Sequence, residues 1–489
     1  MATSFAFPSA QEYIRFLPEM ILIAAGTLSM ALEGLAGDGH RRGTAFLAIL
    51  AILAASAGAV YAGANPGPAF SDFLIIDGFA TFFRLLILTV GALSVLCSAS
   101  YFTREEADSG EYYALILYSL AGQCILATAN ELIMVFLGLE ISSIATYILA
   151  GYLRNDARNN ESAIKYFLLG SFATAFLLYG VAWIYGITGT TNLSGIRAAM
   201  AEPAVASAPW IVGGAAALLF VGFAFKVSAA PFQAWTPDVY QGAAAPVTAF
   251  MSAGPKAAAF AVFIRVFLTG FHGMGDRWEP VVWASALATM VIGNFAALTQ
   301  QNIKRMLAYS SIAHAGYVLV AVTAHSKVGT EAAMFYLAAY AFMNIGAFAI
   351  ISHFARKGEK YVRVDDLAGL AARQPVTAAL FTVYLLSLIG VPLTAGFFGK
   401  FYIFKAALDS NLIWLTVLGL LNSAVAAYYY LRILVVMYFH EPGEAVESAT
   451  PASFGTQVVL WGSAAAILAL GFFPSLLLDF ARQSATLMR

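Results

Sequence analysis

Charged side chains are scarce: 11% of 489 residues, against 61% hydrophobic ones. Soluble domains carry about 25% charged residues, so a water-soluble globule is excluded. The 26 Lys and Arg against 27 Asp and Glu leave a net charge of −1, which removes any global electrostatic case for nucleic acid. Cysteine is scarcer still. Cys97 and Cys124 have no C-x-x-C spacing, which excludes an iron–sulfur cluster or thiolate zinc site built from this chain alone. One disulfide is the most they could form. Long polar stretches are missing too: the longest charged connection, 356–373, has under twenty residues, leaving no room for a soluble domain. No phosphate loop, dinucleotide fingerprint or nucleophile elbow occurs in a fitting context.

Apolar runs fill the chain instead. A bilayer-crossing helix needs about 20 mostly apolar residues. Such runs fall at 14–35, 44–62, 74–99, 112–129, 131–153, 161–187, 208–230, 243–270, 281–301, 304–324, 330–355, 376–406, 411–438 and 456–481. The pattern predicts an all-α polytopic membrane protein of about fourteen transmembrane helices. No A-x-A-like site follows the first apolar core, so that helix is expected to be retained. Alternate connections place Arg41, Arg42, Arg104, Arg154, Arg158, Lys304, Arg305, Arg356, Lys357, Lys360, Arg363 and Arg373 on one side. The other side holds Arg15, Arg197, Arg277, Lys327, Arg482 and Arg489. Twelve cations against six put the first side in the cytoplasm and both termini outside, by the positive-inside rule.

Two neighbouring spans recur. Ser142-Ser143-Ile144-Ala145 in the fifth span returns as Ser310-Ser311-Ile312-Ala313 in the tenth. Glu161-x-Ala163-x-x-Tyr166 leads the sixth and returns as Glu331-x-Ala333-x-x-Tyr336 in the eleventh. Chance explains either match alone in an Ala-rich chain; two consecutive ones are harder to dismiss. Copies five spans apart run in opposite directions, so the chain is read as two inverted five-helix repeats, an architecture of transporters. The expected units are helices 1–3 (1–110), a first repeat (111–270), a second (281–438) and a last helix (456–489).

Three spans carry helix breakers beside lysines. The seventh reads Gly222-Phe-Ala-Phe-Lys226-Val-Ser228-Ala-Ala-Pro231, the eighth holds Gly254-Pro255-Lys256, and the twelfth reads Gly390-Val-Pro392-Leu-Thr394-Ala-Gly396-Phe-Phe-Gly399-Lys400. Each is expected to interrupt its helix, which lipid tolerates only where protein or water covers the freed backbone. Most membrane prolines merely kink, so the lysines are the stronger signal. A Lys at mid-bilayer costs about 2.5–3.5 kcal/mol on insertion scales, and Lys226, Lys256 and Lys400 lie too deep to snorkel comfortably. For Lys165, Lys405 and Arg432, nearer the helix ends, snorkelling is the plainer reading.

Glu140 sits in the middle of the fifth span and shares a helix face with Ser143 and Tyr147. Matching stripes are Ser310, His314, Tyr317 and Tyr336, Tyr340, Asn344. Most of these residues read equally well as helix–helix hydrogen bonding. His314 is favoured as functional because imidazole relays protons near neutral pH. Buried lysines beside a carboxylate that moves or changes charge take up and release protons. Proton movement along Glu140, Lys226, Lys256, His314 and Lys400, with Lys165 as a weaker candidate, is the chemistry these residues suit.

These residues also carry a resemblance. Lys226-Val-Ser-Ala-Ala-Pro-Phe-Gln-Ala-Trp235-Thr-Pro-Asp-Val-Tyr-Gln-Gly242-Ala-Ala-Ala-Pro246-Val strongly resembles the signature of the subunit-N family of bacterial NADH–quinone oxidoreductase, respiratory complex I. The run Gln301–Tyr317, Gly396-Phe-Phe-Gly-Lys400-Phe-Tyr and Tyr428-Tyr-Tyr-Leu-Arg432 fit as well, and the likeness extends from about Ile76 to Arg432. Pro-Asp-Val-Tyr-Gln-Gly separates this family from the other antiporter-like subunits and the multisubunit sodium/proton antiporters. The resemblance implies a proton-translocating membrane-arm subunit of the bacterial inner membrane. Its partners would be a neighbouring antiporter-like subunit and small membrane subunits. It implies that Glu140 pairs with Lys226, that Lys256 is the central relay, that His314 relays, and that Lys400 leads to the far side. No cofactor is expected here; FMN, iron–sulfur clusters and quinone would belong to other subunits. Many relatives have His where this chain has Gln233, and glutamine cannot titrate, so that position is given no proton-carrying role. Two other readings are a subunit of an independent sodium/proton antiporter and a scaffold whose lysines only hold helices together.

Overall fold

The computed structural model describes residues 7–36, 41–107, 109–206, 209–447 and 451–485. Arg489, expected among the outer cations, lies outside the described residues, as do the side chains of Arg41 and Arg42 and the ends of the first and last expected units.

The described chain is a helical bundle. In order come α1 (Leu17–Ala36), α2 (Arg41–Gly63), α3 (Gly78–Glu105), α4 (Gly110–Thr128), α5 (Leu132–Ala150), α6 (Ala157–Thr188) and α7 (Pro209–Val227). Then follow α8 (Trp235–Gly242), α9 (Ala245–Arg265), α10 (Gly275–Leu298), α11 (Ile303–Thr323) and α12 (Lys327–Phe354). The last are α13 (Pro375–Ile389), α14 (Ala395–Asp409), α15 (Ile413–Phe439), α16 (Phe454–Phe472) and α17 (Ser475–Ser484). Twelve helices among the described residues are long and apolar enough to cross a membrane. The expected fourteen spans are reached only by adding α4, which is 19 residues long, and the pair α13/α14. The 376–406 stretch is not one helix but these two, of 15 residues each.

The all-α expectation holds, with one local correction. A two-stranded antiparallel ribbon pairs β1 (Gly67–Ala69) with β2 (Leu74–Ile76), so the third span begins at Gly78 rather than at 74. Asp77 caps that helix through the Ala80 amide, 2.7 Å away. Another correction concerns Pro255: α9 runs unbroken through it. A single proline removes one donor, and α9 is buried along almost its whole length, so its neighbours hold it in helical form.

Burial sorts the bundle. α9, α11 and α12 are its centre, each about 94% buried along its most apolar stretch, whereas α1, α2 and α16 are only 33–39% buried along theirs. Their outward faces carry large apolar side chains such as Phe46, Trp461 and Phe472, as helices bordering lipid require. Loops at one end are tied together by Lys357–Glu106 (2.7 Å), Lys360–Glu444 (3.3 Å) and Arg373–Glu447 (3.4 Å). Arg158 joins them by donating to the Gly358 carbonyl at 3.0 Å. At the opposite end Arg15 donates to the carbonyls of Asn65, Pro66 and Pro68. The first is the basic end expected from the loop charges.

Candidate functional site

Two helix breaks build the site, and in both the freed backbone is taken up by side chains. α7 stops at Val227 because Ser228 adopts left-handed backbone, φ 65°, and the Ala229 amide turns back to the Ala224 carbonyl at 2.7 Å. The Phe225 carbonyl accepts from the Trp235 indole at 2.9 Å. The Ala230 amide donates to Thr289 (2.8 Å), and its carbonyl accepts from Ser285 (2.6 Å). Every one of these groups would be costly if left unpaired in an apolar interior.

Lys226 emerges one residue before this break, half-buried. Its ammonium donates to the Tyr147 hydroxyl at 3.1 Å and lies over the rings of Tyr147 and Tyr166, 4.9 and 5.4 Å from their centroids. Tyr166 stacks on Trp235 at 4.4 Å, so the same aromatic wall holds the lysine and closes the break. Glu140 is also half-buried and accepts from Thr174 at 2.9 Å. The pairing of Glu140 with Lys226 is not a direct contact: among the described residues no ion pair joins them, because Tyr147 takes the ammonium instead.

At the second break α13 ends with Gly390 at φ 92°, and Leu393 is also left-handed. Here the lysine itself caps the broken helix. Lys400, on α14 and 6% exposed, donates to the Leu388 and Ile389 carbonyls at 3.0 and 2.8 Å and to Ser423 at 2.8 Å. A cation at a helix C-terminus also meets the negative end of the helix dipole. Its ammonium lies 4.8 Å from the centroid of the Tyr317 ring. A cavity of about 410 Å³ reaches Lys400 from the protein's side, lined also by Lys405, Asp409, Thr416 and Ser423.

Between the breaks lies a buried polar line. Lys256 is 3% exposed and donates to the Ser311 carbonyl (3.0 Å) and hydroxyl (2.5 Å). Ser311 also accepts from Tyr340 at 2.8 Å. The Tyr340 ring lies 5.2 Å from the His314 ring, a contact without a hydrogen bond. His314, 2% exposed, bonds Tyr336 through Nδ1 at 2.6 Å and Tyr430 through Nε2 at 3.2 Å. A neutral imidazole donates on one nitrogen and accepts on the other, so the two hydroxyls can exchange roles about it. Tyr430 bonds Ser310 and packs on Tyr429, which donates to Asn294 at 3.1 Å. Asn294 donates to Tyr317 at 3.3 Å, beside Lys400. On the other side of Lys256, a cavity of about 10 Å³ separates Lys226 from Pro255 and is lined by Ser142, Ser143 and Thr146, close to the room one water needs.

The fold thus brings Lys256, His314 and Lys400 onto one line, with Glu140 and Lys226 as a more open group beside it. Lys165 is elsewhere. Its side chain is 40% exposed and pairs with Glu161 and Asp238, both at 2.7 Å, while Arg305 takes the other Asp238 oxygen. Asn344, expected to bond across helices, is buried with neither amide atom paired among the described residues. Sequence reasoning missed Asn294, Ser423 and the role of Tyr430, and it gave Ser311 no part beyond the repeated Ser-Ser motif. The run Tyr428-Tyr-Tyr430 is visible in the sequence, but nothing local says which ring turns inward. Both cysteines are free and buried.

Residues 129–426 match the family model described as NADH:quinone oxidoreductase/Mrp antiporter, TM. The chain is 60% identical over 485 residues to NADH-quinone oxidoreductase subunit N 1 of Solibacter usitatus, covering 99% of each chain. Its structure resembles a chain of respiratory complex I from Thermus thermophilus with TM-score 0.81 and 33% identity, covering 95% of this chain and 99% of that one. It also resembles a chain of the membrane-bound sulfane sulfur reductase, an archaeal respiratory membrane complex. There the TM-score is 0.86 and the identity 26%, with 97% of each chain covered.

Proposed function

We propose, from the premise that the chain belongs to the subunit-N family of NADH-quinone oxidoreductase and is thus an antiporter-like membrane-arm subunit of complex I, that it carries the protons and none of the electrons. What supports this reading is the line of hydroxyl, imidazole and amide groups from Lys256 through His314 to Lys400. Hydroxyls both donate and accept, so a proton leaving one lysine has a partner at nearly every step. Glu140 and Lys226 load the line from the half-buried group beside Tyr147, with Thr174 holding the carboxylate. FMN, iron–sulfur clusters and quinone sit in other subunits. Neighbouring antiporter-like and small membrane subunits cover the lateral faces, and the basic end faces the cytoplasm of a bacterial inner membrane, with both termini outside. The two breaks mark corresponding places in two inverted repeats, 111–270 and 281–438.

The test is Lys256→Ala in the whole complex, reconstituted into vesicles. The expected result is an assembled complex whose NADH-driven proton uptake is lost. Full pumping by that assembled variant would overturn the reading. Co-purification without flavin and iron–sulfur partners would favour an independent sodium/proton antiporter instead.

A further inference from the structure

The basic end contains an acidic hollow. A cavity of about 670 Å³ opens there, and its lining includes Glu105, Glu106, Glu111, Asp156 and Glu359 against Arg154. Hydrogen bonding from Arg158 holds Asp156 below the usual carboxylate range, and Lys357 does the same for Glu106, so both keep their charge. Asn159 also lines the hollow; it is 2% exposed, and its side-chain oxygen has no partner among the described residues.

The floor of the hollow is a buried ion pair. Glu359 (8% exposed) meets Lys304 (0%) at 2.5 Å. The other Glu359 oxygen accepts from Tyr101 (2.9 Å) and from the Ala245 amide (2.7 Å), the first residue of α9. Lys304 donates also to the Ala243 carbonyl at 2.5 Å. A strained strap presents Glu359: Arg356, Gly358 and Glu359 all have left-handed backbone, φ 58°, 70° and 48°. Holding two non-glycine residues in that region costs about 1–3 kcal/mol each.

Helix geometry aims this pair at the polar line. Lys304 and Ser311 are seven residues apart on α11, so they share a face about 10.5 Å apart. Ala245 and Lys256 are eleven apart on α9, about three turns or 16.5 Å, and they too share a face. Thus the two helices that hold Glu359–Lys304 at one level hold Lys256–Ser311 at the next. Tyr240, three residues before the carbonyl that accepts from Lys304, is fully buried with its hydroxyl unpartnered among the described residues.

We infer that Glu359 and Lys304 form a proton-loading pair at the base of the acidic hollow, feeding Lys256 from the basic end. This rests on the relay reading above. A proton from water in the hollow bonds to the Glu359 carboxylate and neutralises it. Lys304, left without its counter-charge, gives up one of its own protons toward Lys256, and return of the Glu359 proton to Lys304 restores the ion pair.

The experiment uses the whole complex in vesicles. A lone E359Q would strand a buried ammonium and could prevent folding, so the variant is the charge-free pair Glu359→Gln with Lys304→Met, which buried ion pairs tolerate well. It is expected to assemble and to pump about a hundredfold more slowly, the scale of a lost positioned proton carrier. Normal pumping by the assembled double variant would overturn the inference. Lys256→Ala serves as the parallel arm: if it too pumps normally, the relay reading itself has failed. A second measurement stands if the double variant does not assemble. Asn155→Cys, on the exposed rim of the hollow, is labelled with a bulky cationic thiol reagent. Full labelling that slows pumping several-fold relative to the unlabelled variant supports loading through the hollow, and unchanged pumping overturns it.

Discussion

Lys226 and Lys400 both stand at a broken helix, yet their surroundings differ. Lys400 has three oxygen partners, two of them the carbonyls that the break set free. Lys226 has one hydroxyl and a wall of aromatic faces, and the backbone of its break is satisfied by Trp235, Thr289 and Ser285 instead. Break and lysine are therefore one structural unit at the second site and two separable ones at the first. An ammonium bound to three acceptors is held in place. One resting on ring faces beside a half-buried carboxylate has room to change partner.

The sharpest way to break the comparison is at the backbone. A Cβ on Gly396 would run into the Ser387 carbonyl, so Gly396→Val should cost about 3 kcal/mol or more and abolish assembly on native gels. At the first break the corresponding support is a side chain. Thr289→Val removes the acceptor for the Ala230 amide and should cost only about 1–3 kcal/mol, leaving an assembled complex. Next come the lysines themselves. Lys400→Leu strands two carbonyls at about 1–3 kcal/mol each, lowering thermal stability as well as pumping. Lys226→Leu takes the donor from one buried hydroxyl, that of Tyr147, and strands no carbonyl, so it should stop pumping with less than half that loss of stability. Equal losses on thermal unfolding of the two purified variants would contradict the contrast.

That contrast was only half legible in the sequence. Both breaks show, because Pro231 and the Gly390–Gly396 run cannot continue a helix, and the lysines beside them show because buried charge is rare in lipid-facing chains. Pro255 has the same local pattern but lies in α9, one of the three most buried helices, where packing outweighs one missing donor; the local pattern of breakers does not tell how deeply a helix is buried. The partners were invisible for a related reason. Ser311, Asn294 and Ser423 are ordinary residues in ordinary helices, made important by which helix faces which. The helix stripe puts Tyr147 on the same face as Glu140, but that its hydroxyl takes the Lys226 ammonium depends on the packing of α5 against α6 and α7.

A smaller effect is expected inside the line. Tyr430→Phe removes the hydroxyl shared by His314 and Ser310, and a net hydrogen bond is worth about 0.5–1.5 kcal/mol. Pumping should slow by up to about tenfold, measured as the initial rate of NADH-driven vesicle acidification. If the imidazole and the phenol act as one unit, Tyr430→Phe on top of His314→Gln should add almost nothing. Independent effects would show that Tyr430 only packs.

The smallest effect separates the line from its rim. Lys165 shares Asp238 with Arg305 and is 40% exposed, the setting in which an ion pair contributes about 0–1 kcal/mol. Removing it leaves Asp238 with the Arg305 contact, so no carboxylate is stranded. Lys165→Ala should therefore leave assembly intact and pumping within about twofold of the parent, at both low and high salt. A loss as large as that of Lys226→Leu would mean that protons reach the first break past Asp238. The half-buried group at Glu140 would then have to be redrawn to include the α6–α8–α11 corner.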